Sequence, residues 1–512
     1  MHSLFVYELD IGNSDILEKS SKINNLITSS TINLPLISLG FQHFLHRTKE
    51  AMTITDKLDT KNKFYNVMNP FEHDVSNYEE SLINVTKQYF NNKEKAPEIL
   101  SRSFYKMWEI LYLFGIGDTK NLSYASMANT PESFIQAIIH YRQKFKDGIT
   151  NDKIYSVSIH SDKEKYAQMN NQFLGFYNKQ YKNVFSIVDH RGVKKPRLIK
   201  AKLQSGGKAK QDTEDTEDTE DTEDTEVVDN KSKAKSKGKT KGKTNAVVKD
   251  TEGGSSLVSV SNKNIIQLDT IKLFKKDIEK SKKYLDLITS DGKIKTDDIN
   301  TLEQESYQLI LSEIIAALKV QAVGGSFVLK VFETFTIPSL KLIYLLSSFY
   351  KNTYIYKPFY SRPYNSEKYI ICKDFKLDQV KDAEQLKTKI KTLETVLAGM
   401  DINKFVYDIF PTLKLPDEYL YKMKLINIKI ANTQQIMINE IVKYIKENNY
   451  FGEKYHIQRN AQIEATKWWV SYFFPPNNVY EKSKEDLMKL MTTTLDKNKA
   501  EQGQFISSLV KN

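Results

Sequence analysis

The chain has 512 residues, 40% hydrophobic and 11% aromatic, which is enough to bury a sizeable core in each of several domains and excludes a wholly disordered protein. Its one cysteine, Cys372, excludes an intramolecular disulfide or a cysteine-rich zinc site, and its net charge of +11 points to a polyanionic partner. The opening residues MHSLFVYELD lack the order of a signal peptide, and no apolar run reaches the roughly 18 residues that span a bilayer, so a cytoplasmic protein without a membrane partner is expected.

In chain order, residues 1–95 read as a mainly helical flank. Leu100–Phe114 is helical by period, "NLSYASM" is a short strand, and "FIQAIIHYRQKF" is a helix with apolar residues at Phe134, Ile135, Ile138, Ile139 and Tyr141. "KIYSVSIH" and "VFSIVDH" are strands. Residues 204–261 then form a low-complexity insert, in which DTEDTEDTEDTEDTE is followed by KSKAKSKGKTKGKT. From Gly207 to Leu257 ten lysines stand against thirteen acids, so the segment is −3 and the remainder of the chain carries +14. Excess positive charge outside the insert favours nucleic acid.

Beyond the insert, strand "YLDLITSD", helix Glu305–Gln321, strand "GSFVLKVF" and helix Ser339–Tyr350 follow, then two close strands, "NTYIYKP" and "EKYIICKDF". Alternating strands and helices predict an α/β fold, a mostly parallel sheet with helices on both faces, and the last two strands predict an antiparallel pair at its edge. Residues 377–512 are a helical region, with an amphipathic helix at Gln434–Phe451 and an aromatic block, TKWWVSYFFPP, of core or interface type.

Four charged residues fall where a purely structural core would avoid them. Asp291 ends "LDLITSD"; Lys330 lies inside the apolar strand "GGSFVLKVF"; Glu367 begins "EKYIICKDF"; Lys106 stands between aromatic residues in "RSFYKMWEIL". A lysine within an apolar strand costs several kcal/mol unless it is paired, so Lys330 requires acidic neighbours, and Asp291 and Glu367 are the candidates. Residue pattern alone leaves two readings open, a salt-bridge cluster that fixes the sheet and a catalytic site. The eight histidines show no ligand spacing, so no metal is expected.

These blocks, with "YIYKPFYSRPYNSEKYIICKDF", "LGFQHFLHRTKEAM", "KFYNVMNPFE" and "NYFGEKYH", resemble the FtsJ-like RNA 2′-O-methyltransferases, most closely the cap-specific enzymes of large cytoplasmic DNA viruses and their eukaryotic relatives. The resemblance implies a Rossmann-like methyltransferase fold of the seven-stranded type, split between residues 96–203 and 262–376, and S-adenosylmethionine as methyl donor. It implies capped mRNA as substrate, capping or transcription proteins as partners, and a place in a host cytoplasm or virion. The family's Lys–Asp–Lys–Glu tetrad falls on Lys106, Asp291, Lys330 and Glu367. Lys330 is then the base for a ribose hydroxyl, which requires burial and the Lys106 charge to lower its pKa from about 10.4. In "YKPFYSRPYNSEK", around Glu367, Lys357, Ser361, Arg362, Ser366 and Lys368 are expected to contact RNA phosphates.

The family's donor loop, A-E/G-x-P-G-G-F, aligns with Ala128, Asn129, Thr130, Pro131, Glu132, Ser133 and Phe134, and both glycines after the proline are replaced. Asp189 stands where the family has an acid that contacts adenosine. Intact tetrad and altered loop leave two functions open: an active RNA 2′-O-methyltransferase, and a weak or inactive relative that serves as an RNA-binding or structural subunit.

Overall fold

The computed structural model describes residues 3–9, 25–36, 38–58, 64–72, 99, 101–127, 133–146, 152–157, 185–189, 267–280, 283–294, 301–401, 404–447 and 452–510. The charged insert and Ala128, Asn129, Pro131 and Glu132 of the expected donor loop lie outside them. An eight-stranded sheet organises the fold. β1 (Phe5–Glu8) is the outermost strand on one side, and β2 (Leu26–Ser29) belongs to a separate small sheet. The main sheet continues with β3 (Ser123–Met127), β4 (Asp152–Val157), β5 (Phe185–Asp189), β6 (Leu285–Ser290), β7 (Gln321–Val331), β8 (Tyr350–Lys357) and β9 (Lys368–Phe375). Its spatial order is β1-β8-β9-β7-β6-β3-β4-β5.

Strands β5, β4, β3, β6 and β7 are parallel. β3, β6 and the later half of β7 are buried on both faces, as strands covered by helices on each side must be. β8 and β9 form the expected antiparallel pair, with β9 antiparallel to β7 as well. The arrangement is a Rossmann-like methyltransferase sheet with one addition: β1, from the N-terminal flank, pairs antiparallel with β8 and forms the outer edge. That flank also holds α1 (Leu39–Glu50) and β2, which pairs with β10 (Phe405–Ile409) in a two-stranded sheet. Four-residue strands leave too short an alternation to separate from background in the sequence.

The chain runs outward from β3 to β4 and β5, then returns to the other side of β3 to lay down β6 and β7. The reversal places a switch point between β3 and β6, where an open α/β sheet offers a crevice at its carboxyl ends. α2 (Ser103–Phe114) packs on one face of the sheet with its first turn at that end, is buried from Phe104 through Phe114 and is stopped by Gly115 in the left-handed region at φ 63°. α3 (Ser133–Phe145) and α4 (Leu268–Lys280) follow, then α5 (Leu302–Val320) and α6 (Ile337–Ser348). Glu303 fastens the last two together by accepting from the Phe335 and Thr336 amides and the Thr336 and Ser339 hydroxyls at the start of α6.

The C-terminal region is helical: α7 (Ala383–Gly399), α8 (Asp417–Lys446), α9 (Glu453–Phe473) and α10 (Tyr480–Val510). Its aromatic block is core. Trp108 of α2 stacks on Phe474 with ring centroids 4.1 Å apart and donates its indole N–H to the Phe473 carbonyl at 2.7 Å. Trp469 donates to Glu109 Oε1 at 3.0 Å. α10 runs past β1, where Asn498 donates to the Val6 carbonyl at 2.8 Å. Trp469→Ala is therefore expected to lower the unfolding free energy by about 3–5 kcal/mol in urea titrations. A loss under about 1 kcal/mol would mean that α9 contributes little to the core.

Candidate functional site

Strand register alone brings the charged residues together. β6 and β7 pair Ser290 with Leu329, so the next residues, Asp291 and Lys330, stand side by side at the carboxyl end of the sheet. β7 and β9 pair Lys330 with Tyr369, and Glu367 lies two residues before Tyr369, on the same face. Lys106 descends from the first turn and a half of α2.

The result is two buried ion pairs. Lys330 Nζ lies 2.9 Å from Asp291 Oδ1 and donates to the Asp291 carbonyl at 2.7 Å. Lys106 Nζ grips both carboxylate oxygens of Glu367, at 2.9 and 3.1 Å. Tyr369 joins the pairs, its hydroxyl 3.2 Å from Asp291 Oδ1 and 3.1 Å from Glu367 Oε1. Burial, together with the two carboxylates, raises its pKa well above the ordinary value, so it keeps the proton that it donates between them. Ser103, one turn before Lys106, donates to Asp291 Oδ2 at 3.2 Å. Tyr369 and Ser103 carry no signal in the sequence, because a tyrosine in a strand and a serine at a helix start are ordinary there.

Electrostatics correct one expectation. Burial does work to lower the Lys330 pKa, but Asp291 and Glu367 outweigh it and leave it raised. Lys106 has been drawn to Glu367, so it does not act as the depressing neighbour. Burial would likewise raise Glu367, yet Lys106 and Lys330 pull its carboxyl down to about 2. A third carboxyl, Glu313 on α5, is pushed by burial up to about 8 and stays protonated at neutral pH. The patch thus holds two ammonium groups and two carboxylates.

Around the tetrad, the link from Pro358 to Glu367 is tied to the protein interior. Lys357 Nζ lies 3.0 Å from Ser361 Oγ, 2.6 Å from the Asn365 carbonyl and 2.9 Å from the Glu367 carbonyl. Burial, with the nearby Lys368, Lys106 and Arg102 charges, pushes its amine down to about 7. Ser361 donates to the Glu367 carbonyl at 3.1 Å, Lys368 donates to the Phe332 carbonyl, and Ser366 is buried. Arg362 pairs with Glu72 at 2.8 Å, and Arg102 lies 3.5 Å from the same carboxylate. Lys357, Ser361 and Arg362 thus brace the link from within, Lys368 ties the start of β9 to the end of β7, and for Ser366 only burial is described; the sequence does not encode these directions.

Among the expected donor-loop residues, Ser133 and Phe134 open α3 and are buried, and Phe134 lies 6.2 Å from the Tyr369 ring. Asp189 ends β5. At the switch point Ser126 Oγ on β3 is buried without a hydrogen-bond partner, whereas Ser290 on β6 faces the Glu313 carboxyl of α5. Among the described residues no group of three or more His, Cys, Asp or Glu is placed to hold a metal ion.

A family profile described as FtsJ-like methyltransferase matches residues 99–375. The chain is 36% identical over 124 residues to a cap-specific mRNA (nucleoside-2′-O-)-methyltransferase 1 of Dictyostelium discoideum, covering 23% of this chain and 16% of the relative. It is 26% identical over 186 residues to the enzyme of that name in Caenorhabditis elegans, covering 36% and 20%. It is 24% identical over 172 residues to an inactive cap-specific methyltransferase 1B of Caenorhabditis briggsae, covering 33% and 20%. The chain thus spans a fifth or less of the length of each of these relatives.

Glu72 gives the site a measurable acid dependence. Burial would raise its pKa, but Arg102 and Arg362 lower it to about 2. A depressed carboxyl stabilises the fold above its unfolded pKa of about 4.3, and that contribution is lost as pH falls toward 2. Glu72→Gln is expected to cost about 3 kcal/mol at pH 7 and to flatten the decline in stability between pH 5 and 2. Denaturant titrations at several pH values read both, and an unchanged acid decline would remove Glu72 from that role.

Proposed function

The chain belongs to the FtsJ-like methyltransferase family, and on that premise we propose that it transfers a methyl group from S-adenosylmethionine to a ribose 2′-hydroxyl of RNA, with capped mRNA as substrate. The observation that carries the proposal is the convergence of Lys106, Asp291, Lys330 and Glu367 beside the switch-point crevice. The unpartnered Ser126 hydroxyl leaves the switch point with a free polar group suited to a bound nucleoside, Ser133 and Phe134 open the helix that follows β3, and Asp189 ends β5. When bound there, S-adenosylmethionine supplies an electrophilic methyl on a sulfonium sulfur, which departs as a neutral thioether.

The remaining chemistry belongs to this chain. The 2′-oxygen is a weak nucleophile until its proton is taken. Lys330 holds that oxygen by donating to it in the ammonium form and accepts the hydroxyl proton in the amine form. Asp291 aims the Lys330 amine through two contacts, and Glu367 restrains Lys106 so that its charge faces the ribose rather than Lys330. The braced link from Pro358 to Glu367 gives RNA a rigid wall beside the site, with Lys357, Ser361 and Arg362 holding its shape.

A second reading, RNA binding without turnover, is favoured by the absence of glycine from Ala128–Phe134. Calorimetry with S-adenosylmethionine separates the two, since heat of binding is expected only for the first.

Lys330→Ala is expected to reduce transfer of labelled methyl to capped RNA by roughly 10²–10⁴-fold while leaving RNA affinity nearly unchanged. The raised Lys330 pKa makes the active amine a minor form at neutral pH. The wild-type rate should therefore climb with pH through neutrality toward and beyond the ordinary lysine range of about 10.4. A rate that levels off below pH 8, or full activity in Lys330→Ala, would remove Lys330 as the base.

A further inference from the structure

Met127 is hydrogen-bonded to Asp291, and Ser133 is connected to it through a series of three hydrogen bonds. At Met127 the link is direct: the Asp291 amide donates to the Met127 carbonyl at 3.2 Å, joining the ends of β6 and β3. At Ser133 it runs through three serines. Ser133 Oγ lies 2.7 Å from Ser101 Oγ. Ser101 Oγ accepts from the Ser103 amide at 3.2 Å, and Ser103 Oγ donates to Asp291 Oδ2 at 3.2 Å. Asp291 Oδ1 then meets Lys330 at 2.9 Å.

Ser101 and Ser133 are buried, and Ser103 is half-buried, so water competes little for these bonds. The polarity is consistent along the chain. Ser101 Oγ already accepts from an amide, which leaves its proton for Ser133, or a lone pair for the Ser133 proton. Ser103 commits its proton to the carboxylate, leaving one carboxylate oxygen to Ser103 and the other to Lys330 and Tyr369.

We propose that Ser101, Ser103 and Ser133 are positioning residues that couple occupancy of the methyl-donor position to the orientation of Asp291, and through it of Lys330. The proposal rests on the methyltransferase reading above. Ser133 takes the place of a glycine in the donor loop that this chain resembles, and a glycine there has no hydroxyl to reach Ser101. In this chain the replacement does more than fill space: it ties the start of α3 to the tetrad. Asp291 is thereby tied to Met127 and, through Ser103 and Ser101, to Ser133, so a shift of Ser133 turns the carboxylate that aims the base.

The test uses the full chain and the variants Ser133→Ala, Ser101→Ala and Ser103→Ala, with thermal melts to establish that each folds. Calorimetry with S-adenosylhomocysteine comes first. The wild type is expected to bind it, and Ser101→Ala and Ser103→Ala to bind within about threefold of the wild type, because neither residue belongs to the expected donor loop; Ser133→Ala, which does, is read by the two measurements that follow at ligand concentrations that saturate it. The second measurement is trace acetylation of Lys330 read by mass spectrometry, with and without S-adenosylhomocysteine. Saturating ligand is expected to change the wild-type labelling rate by roughly tenfold, the scale of one hydrogen bond to a charged group, and that response should be lost in all three variants. The third is the rate of methyl transfer at saturating donor and RNA. It should fall by roughly tenfold in each variant, and Ser101→Ala with Ser133→Ala together should fall no further than either alone.

A wild type that binds ligand but transfers no methyl, with the labelling response present and lost in the variants, overturns the methyltransferase reading and leaves the coupling standing. A wild type that binds and transfers while the variants keep the labelling response overturns the coupling alone. Multiplicative losses in the double variant also overturn the coupling, because two members of one chain cannot act independently. No binding by the wild type overturns both.

Discussion

Charge balance within one buried patch is the constraint on which the rest of the site depends. Lys330 and Lys106 are too far from water to stand alone, and a lone charge there would cost several kcal/mol. Asp291 and Glu367 offset them, each lysine taking its own carboxylate. The balance would fail if Glu313 ionised, because a third anion would enter beside Lys330. Burial prevents this by keeping Glu313 protonated at neutral pH. The patch is therefore a closed electrostatic unit, and Tyr369 makes it one unit rather than two by bridging the pairs.

The patch is held in place by elements that are far apart in the chain. β6 and β7 supply Asp291 and Lys330 by register, β9 supplies Tyr369, and α2 supplies Lys106. α2 is in turn fixed by the C-terminal helices. Glu109 on its inner face accepts from Tyr356, the Phe359 and Tyr360 amides, and Trp469. Tyr105, beside Lys106, stacks on Tyr360 at 4.5 Å. The same helix thus anchors the tetrad, the link before Glu367 and α9, so that a disturbance at any of the three reaches the others through packed side chains.

Much of this was legible in the sequence where a residue violated its surroundings. Lys330 between apolar neighbours demanded a partner, and the strand ends at Asp291 and Glu367 provided two; register then set the distances. Side-chain direction was not legible. Lys357, Arg362 and Lys368 read the same whether they face solvent or turn inward, and only the fold shows Lys357 spanning the link and Arg362 closed on Glu72. The Lys330 pKa was misjudged for a related reason. Its direction depends on which of Lys106 and Asp291 lies nearer, a difference of a few ångströms that no spacing in the chain specifies. Tyr369 and Glu313 were invisible because their residue types are unremarkable in a strand and a helix.

The stacking of Trp108 on Phe474 has a consequence for where this protein can be divided. Similarity to the family ends at Phe375, yet the helix that carries Lys106 is sealed on its outer side by residues nearly a hundred positions further on. Severed at that limit, the part that resembles the family would expose an indole face, a carboxylate stripped of one donor and an uncovered strand edge. The limit of resemblance marks what was inherited in common, whereas the cooperative fold extends at least to Asn498, which is bonded to β1.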